Sequence, residues 1–410
     1  MSEVSIILTF YLSVKLVLDL SQIYTIKNAS VDKVSLKLLD INQDDDKISR
    51  KYNISKLNVS VIRNITYVGW IYIIFEGGLT KELNIFFGST NLDTPISDLF
   101  VILSLYIMVS MTMLIFAFYS NFVVEEKYEF NTSSKTLFFK DNIMSLVLSI
   151  ALVSILSLIF FYLFSFPDLW WFLMSLTILF MIIVSIFIYP AYISPLFNKF
   201  QNLNDDDIKS EIKDLSEKTN FPVNNLYVMD RSKRSKHPNA YFTGFKNNRR
   251  IVFFDTLLSI LTPREVKAVL AHEIGHYKHN HIVKSLLLST LIIFLGLFLL
   301  SSLVNSTTYL NLLNLPFNAS SQLIALFFTY QVASFFIDPL FSSLSRKNEY
   351  EADAYAADQV DKEYLISSLT KLYKSNLSFL IPNKFYALFY YSHPTVLERI
   401  NKLRSNDGRL

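Results

Sequence analysis

Residues 169–189 read LWWFLMSLTILFMIIVSIFIY, from Leu169 to Tyr189, and contain no charged side chain. A bilayer's hydrocarbon core asks for roughly 20 apolar residues in a helix that rises ~1.5 Å per residue. This stretch meets that demand. Working outward, Leu99–Ser120, Ile143–Phe166 and Ser285–Val304 are equally free of charge, and Ser321–Ile337 is a shorter run ending at Asp338-Pro339. Val4–Ile23 and Asn64–Gly78 carry polar intrusions but are long enough to count, which gives seven expected spans. The first is read as a retained helix, not a removable signal, because it has no basic leader or small-residue cleavage site.

The whole chain agrees with this reading. Of 410 residues, 51% are hydrophobic and 18% charged, with 36 Phe and 23 Tyr. A net charge of +3 gives no ground for a nucleic-acid partner, and with no cysteine any metal site must use His, Asp or Glu. With seven spans, segments 24–63, 121–142, 190–284 and 338–410 share one side of the membrane. They hold 36 of the 38 Lys and Arg. Basic loops stay cytoplasmic, so that side is expected to be the cytoplasm and the N-terminus to lie opposite. The division that follows is 1–189 with five spans, 190–284 cytoplasmic, 285–340 with two spans, and 341–410 a C-terminal helical segment.

Within the first polar segment, Asp205, Asp206, Asp207 and Glu211 mark the start of a helix. Asn225–Met229 and Arg250–Asp255 read as short strands, with Tyr241–Phe245 between them and a turn at Lys246–Arg249. After Pro263 the pattern becomes helical through Arg264–His281. That helix contains His272-Glu273-Ile274-Gly275-His276. Residues four apart share a helix face, so both imidazoles can reach one ion, and Glu273 can act as general base toward a bound water. A peptidase zinc site needs a third protein ligand. Candidates are His279, His281, His393 and a downstream acid. On a helix continuous with the pair, His279 and His281 would point away from a shared ion. Glu349 and Asp353, again four apart, could supply a ligand and a hydrogen-bond acceptor behind a liganding histidine. Spacing alone leaves the choice open, with Glu351 also in the cluster, and His237 reads as a surface residue.

The chain resembles the type I CAAX prenyl endopeptidases, membrane zinc proteases that process prenylated C-termini. The matching pieces are Pro190–Phe200, Ser232-Lys233-Arg234-Ser235, Asn239-Ala240-Tyr241-Phe242, Arg250–Leu257, the HExxH run, Ser345–Glu349 with Ala352-Asp353, and Ser392-His393-Pro394 with Glu398-Arg399. Order and spacing agree over about 190–404. Earlier in the chain the agreement rests on the layout of spans and on Phe130-Asn131 before Phe138-Phe139-Lys140-Asp141. The resemblance implies an all-α membrane fold, seven helices enclosing a chamber, and a cytoplasmic zincin-like domain with a small β edge. It implies one zinc per chain held by His272, His276 and Glu349, with Glu273 and His393 catalytic, the latter at the oxyanion. Asp353 and Arg399 would support the site, and Asn239 and Ala240 would bind substrate as an added strand. The implied substrate is a peptide or protein, prenylated in the family. A bacterial quality-control metalloprotease of the heat-shock type is the alternative, although such enzymes are shorter with fewer spans. The trimmed length, relative to eukaryotic members, points to a bacterial inner membrane; in a eukaryote the endoplasmic reticulum is expected.

Overall fold

The computed structural model describes residues 3–31, 36, 39–221, 226–243 and 250–405. The expected turn at Lys246–Arg249, and Asn225 and Phe245 at the ends of expected strands, lie outside these residues.

Six helices come first: α1 Glu3–Asn28, α2 Gln43–Phe75, α3 Leu79–Gly88, α4 Thr94–Tyr119, α5 Lys135–Leu163 and α6 Trp170–Ile188. The last turns of α4 and α6 widen into π-helix over Ser120–Glu125 and Tyr189–Ile193. Then come β1 Phe200–Asn202, α7 Asp206–Thr219, β2 Leu226–Met229, β3 Ala240–Thr243 and β4 Arg250–Phe254. The chain ends with α8 Pro263–Lys278, α9 His281–Val304, α10 Ala319–Gln359, α11 Lys362–Ser375, α12 Lys384–Tyr390 and α13 Val396–Ser405.

Seven of these helices are long and apolar enough to cross a membrane: α1, α2, α4, α5, α6, α9 and α10. They coincide with the seven spans expected. Their outer faces carry Phe180, Leu287, Leu291 and Phe298 in the open. Apolar side chains facing out on uncharged helices suit a lipid solvent and would be unsupportable in water. Two spans extend further than the hydropathy suggested. The Asn64–Gly78 run is the apolar end of the 33-residue α2, whose start is capped by Asn42, with Asp45 completing a capping box.

The second extension matters for function. Asp338-Pro339 reads as the end of a span, yet α10 runs 41 residues with Pro339 inside it. Proline removes one backbone hydrogen bond and crowds the preceding turn. Packing on both sides offsets that cost: Phe335 is buried in the core of the spans, and Ala352 and Ala356 are buried against α8. One rigid helix therefore joins the membrane to Glu349 and Asp353.

Outside the spans a second core forms around α8. Val266, Leu270 and Ile274 of α8 pack with Ile212 and Leu215 of α7, Phe253 of β4, Leu365 of α11 and Ile400 of α13. Each such side chain contributes about 1.5–3 kcal/mol by leaving water. The sheet has the order β1-β2-β4-β3, with β2 and β4 parallel and the other pairs antiparallel. β3 and β1 are thus the two terminal strands. Helices α1, α2, α4 and α5 border a cavity of about 920 Å³ whose wall also includes His237 and Tyr391.

A candidate metal centre

Helix α8 begins with a capping box. Thr262 is the N-cap, Pro263 takes the first helical position, and Glu265 Oε2 accepts from the Thr262 backbone N–H at 2.7 Å. Glu265 is also held by Ser367 (2.6 Å) and Lys371 (2.7 Å) of α11. Burial pushes its carboxyl up, but these partners pull it further the other way, below the usual carboxylate range. The start of the helix is thereby fixed three turns from its histidines.

Gly275 brings α8 onto α10. A Cβ there would sit 2.9 Å from the Ala352 Cα and 3.0 Å from its carbonyl oxygen. Only glycine allows this approach, and it sets Glu349 and Asp353 against the histidine pair. His272 Nε2 and His276 Nε2 are 3.1 Å apart. Glu349 offers Oε2 at 3.4 Å from the first and Oε1 at 3.3 Å from the second. Ligands ~2.0–2.1 Å from a tetrahedral zinc are separated by about 3.3 Å, so the three residues already have the spacing of a metal's coordination sphere. Glu349 is buried, and among the described residues the only donors near its Oε2 are His272 Nε2 at 3.4 Å and Arg399 Nη1 at 3.3 Å, both long for a hydrogen bond. A buried carboxylate oxygen with only long contacts is poorly satisfied, and a cation between the three groups would satisfy it. The donor set, two imidazoles and one carboxylate, fits zinc, leaving a fourth position for water.

Asp353 stands behind His272, its Oδ1 2.9 Å from Nδ1. That contact puts the His272 proton on Nδ1 and its lone pair on Nε2. Without an ion, burial pushes this imidazole down while hydrogen bonds to Asp353 and Glu349 raise it more, to about 9. Arg399 of α13 grips Asp353 with Nε and Nη2 and reaches Glu349 Oε2 with Nη1 at 3.3 Å. His393 Nε2 lies 3.4 Å from Glu349 Oε1, its ring exposed and its Nδ1 2.9 Å from Ser392 Oγ. Glu273 is half-buried on α8, next to His272. His272, His276, Glu349, Asp353, His393 and Arg399 thus lie in mutual contact, with Glu273 adjacent to His272 on the same helix.

Asn239 and Ala240 stand at the start of β3. The Asn239 carbonyl accepts from Phe254 N–H, and the Ala240 N–H turns to the Asn239 side chain. This edge is anchored to the membrane helices by Arg234, whose guanidinium holds Asp141 of α5 at 2.7 and 3.1 Å.

Two histidines differ from their sequence reading. His237 is half-buried, stacked on Phe130 and hydrogen-bonded to Asn376 (2.7 Å) and Glu125 (3.2 Å). His281 does not continue α8. That helix stops at Lys278, Asn280 adopts a left-handed φ of 56°, and His281 opens α9 as a buried residue. Its Nδ1 lies 2.9 Å from His276 Nδ1. The signal was Asn280, one of the few residue types that enter this conformation cheaply.

A helical membrane fold carrying a carboxylate–histidine metal centre defines a membrane metallopeptidase. Comparison with known proteins makes the class specific. Residues 202–407 match the model for peptidase family M48, and residues 26–199 match that for the CAAX prenyl protease N-terminal region, five membrane helices. CAAX prenyl protease 1 of Saccharomyces cerevisiae is 36% identical over 307 residues, covering 70% of this chain and 67% of that protein. The homologue in Dictyostelium discoideum is 33% identical, covering 88% and 87%, and that in Homo sapiens 33%, covering 72% and 71%. The crystal structure of S. mikatae Ste24p superposes with a TM-score of 0.88 at 30% identity, over 98% of this chain and 99% of that one. The chain belongs to peptidase family M48, as a multi-pass membrane metalloendopeptidase of the CAAX prenyl protease 1 group. Membership brings a metal cofactor.

Proposed function

We propose that this protein is a zinc endopeptidase that cleaves prenylated C-terminal CAAX peptides, with His272, His276 and Glu349 as the ligands. The spacing of the three ligand atoms around the buried Glu349 carboxylate is the observation that carries the reading. These three residues would hold a zinc ion, whose chemistry when bound would be to acidify a water and polarise the scissile carbonyl. Glu273 takes the water's proton and delivers it to the departing amine. Ser392 Oγ lies 2.9 Å from His393 Nδ1, and with that hydroxyl as donor the His393 Nε2–H is left to stabilise the developing oxyanion. Arg399 and Asp353 hold His272 and Glu349 in register. The edge strand β3 binds substrate by main-chain hydrogen bonds, starting at Asn239 and Ala240.

The CAAX substrate class follows the names of the relatives, and the cavity among α1, α2, α4 and α5, whose wall includes Arg234 and His237, offers room for a prenyl chain. The four-part division at residues 189, 284 and 340 belongs to the same proposal, its last boundary falling inside the continuous α10, with the basic segments and the metal centre facing the cytoplasm. The relatives named above are eukaryotic, which favours the endoplasmic reticulum over a bacterial inner membrane.

Purified protein should cleave a farnesylated CAAX peptide and leave its unprenylated counterpart largely intact. Equal cleavage of both would refute the prenyl requirement. Cleavage of misfolded membrane proteins but of neither peptide would favour the quality-control alternative.

A further inference from the structure

The expected helix would have carried His281 away from the metal centre. The left-handed turn at Asn280 reverses this and lays the buried His281 ring against His276. A three-membered chain results. His276 Nδ1 lies 2.9 Å from His281 Nδ1, and His281 Nε2 lies 3.1 Å from Glu351 Oε2. The second carboxylate oxygen of Glu351 faces Lys347 at 3.8 Å on the surface.

Chemistry fixes every proton in this chain once one condition is set. A ligand imidazole gives its Nε2 lone pair to the ion, so His276 must carry its proton on Nδ1. Two Nδ1 atoms at 2.9 Å then need one donor and one acceptor, so His281 presents a lone pair there. Its own proton is left on Nε2, aimed at a carboxylate that can only accept. Glu351 thus selects the tautomer of His281, which selects the tautomer of His276. His272 has the same support in one step, from Asp353. His279 stacks on His281 at an interplanar angle of 14°, closing the outer face.

We propose that His281 and Glu351 are positioning residues that orient His276 for the ion through this relay. The inference rests on His272, His276 and Glu349 being the metal ligands. Support of this kind behind a ligand is worth roughly 10–100-fold in metal affinity. His279, His281 and Glu351 also lie close enough together to hold an ion themselves. In the relay the His281 Nε2 proton fills the space that such an ion would need.

The test is zinc affinity and stoichiometry, read by competition with a chelator on the full-length protein in detergent. His281→Phe removes the acceptor and should weaken binding roughly 10–100-fold. His281→Asn keeps an amide oxygen at the place of Nδ1 and should recover most of that loss, which a merely space-filling role would not produce. Glu351→Ala, at a half-exposed position, should cost about tenfold. Binding within twofold of wild type in both His281→Phe and Glu351→Ala would overturn the relay. So would equal weakening in His281→Phe and His281→Asn, or a second zinc in wild type that Glu351→Ala abolishes with the first site unchanged. Failure of wild type to bind any zinc would instead overturn the ligand assignment itself.

Discussion

Replacing Gly275 by alanine should weaken metal binding without touching a ligand. The added Cβ would meet the Ala352 backbone at 2.9 Å, and no side-chain rotation can relieve contact with a Cα. Restoring ordinary carbon contact at ~3.5 Å requires α8 and α10 to separate by about 0.6 Å. Glu349 lies one turn before Ala352 and moves with it. Its 3.3 and 3.4 Å approaches to the histidines would open toward 4 Å, beyond the ~3.3 Å edge of a zinc tetrahedron. Overpacking of this kind costs about 1–3 kcal/mol, which is ~5–150-fold in affinity if the ion must draw the helices together again. Chelator competition on the purified protein measures it. Gly69→Ala and Gly296→Ala, where a Cβ meets nothing within 4 Å, serve as controls and should bind as wild type does. Binding by Gly275→Ala within twofold of wild type would refute the claim that helix contact sets the ligand spacing.

Glu273→Gln should lose cleavage by roughly 10²–10⁴-fold while retaining its zinc; loss of the ion together with activity would contradict a purely proton-transferring role. Metal affinity should fall with acidity, because His272 must shed a proton below about 9 for the ion to bind, a cost near tenfold per pH unit for that one group. In metal-free protein the sign reverses. The raised His272 stabilises the fold fully below its ordinary value near 6.5, and that contribution disappears as pH rises through about 9, which thermal melts across this range would detect. Glu265→Ala removes a cap and strands the partners on α11, and should destabilise by about 2–3 kcal/mol, seen as an earlier melt. Because the Glu265 carboxyl is held below its ordinary range, that stabilisation is present above the unfolded value of ~4.3 and vanishes as pH falls through the folded one. An unchanged acid limb in the Glu265→Ala melt would speak against it.

The spans were legible because lipid imposes a simple rule, length without charge, that hydropathy reads directly. The two extensions were not, since the polar halves of α2 and α10 are held by caps and long-range packing rather than by local hydropathy. Pro339 is the clearest example: locally a helix end, globally part of a rod fixed by Phe335 on one side and Ala352 on the other. At the metal centre, helical spacing led directly to His272 and His276. Glu349 could be chosen over its neighbours only by resemblance, because a contact across 73 residues leaves no local periodicity. His281 was misread for a physical reason. One left-handed asparagine turned a residue expected to face away into a neighbour of His276.

Zinc content of the Glu349→Gln variant tests the central claim most directly. Wild type should hold one zinc per chain, and this variant should hold none at a zinc concentration that saturates wild type, while its apolar spans keep it folded in detergent. A full complement of zinc in Glu349→Gln, with peptide cleavage intact, would contradict the account.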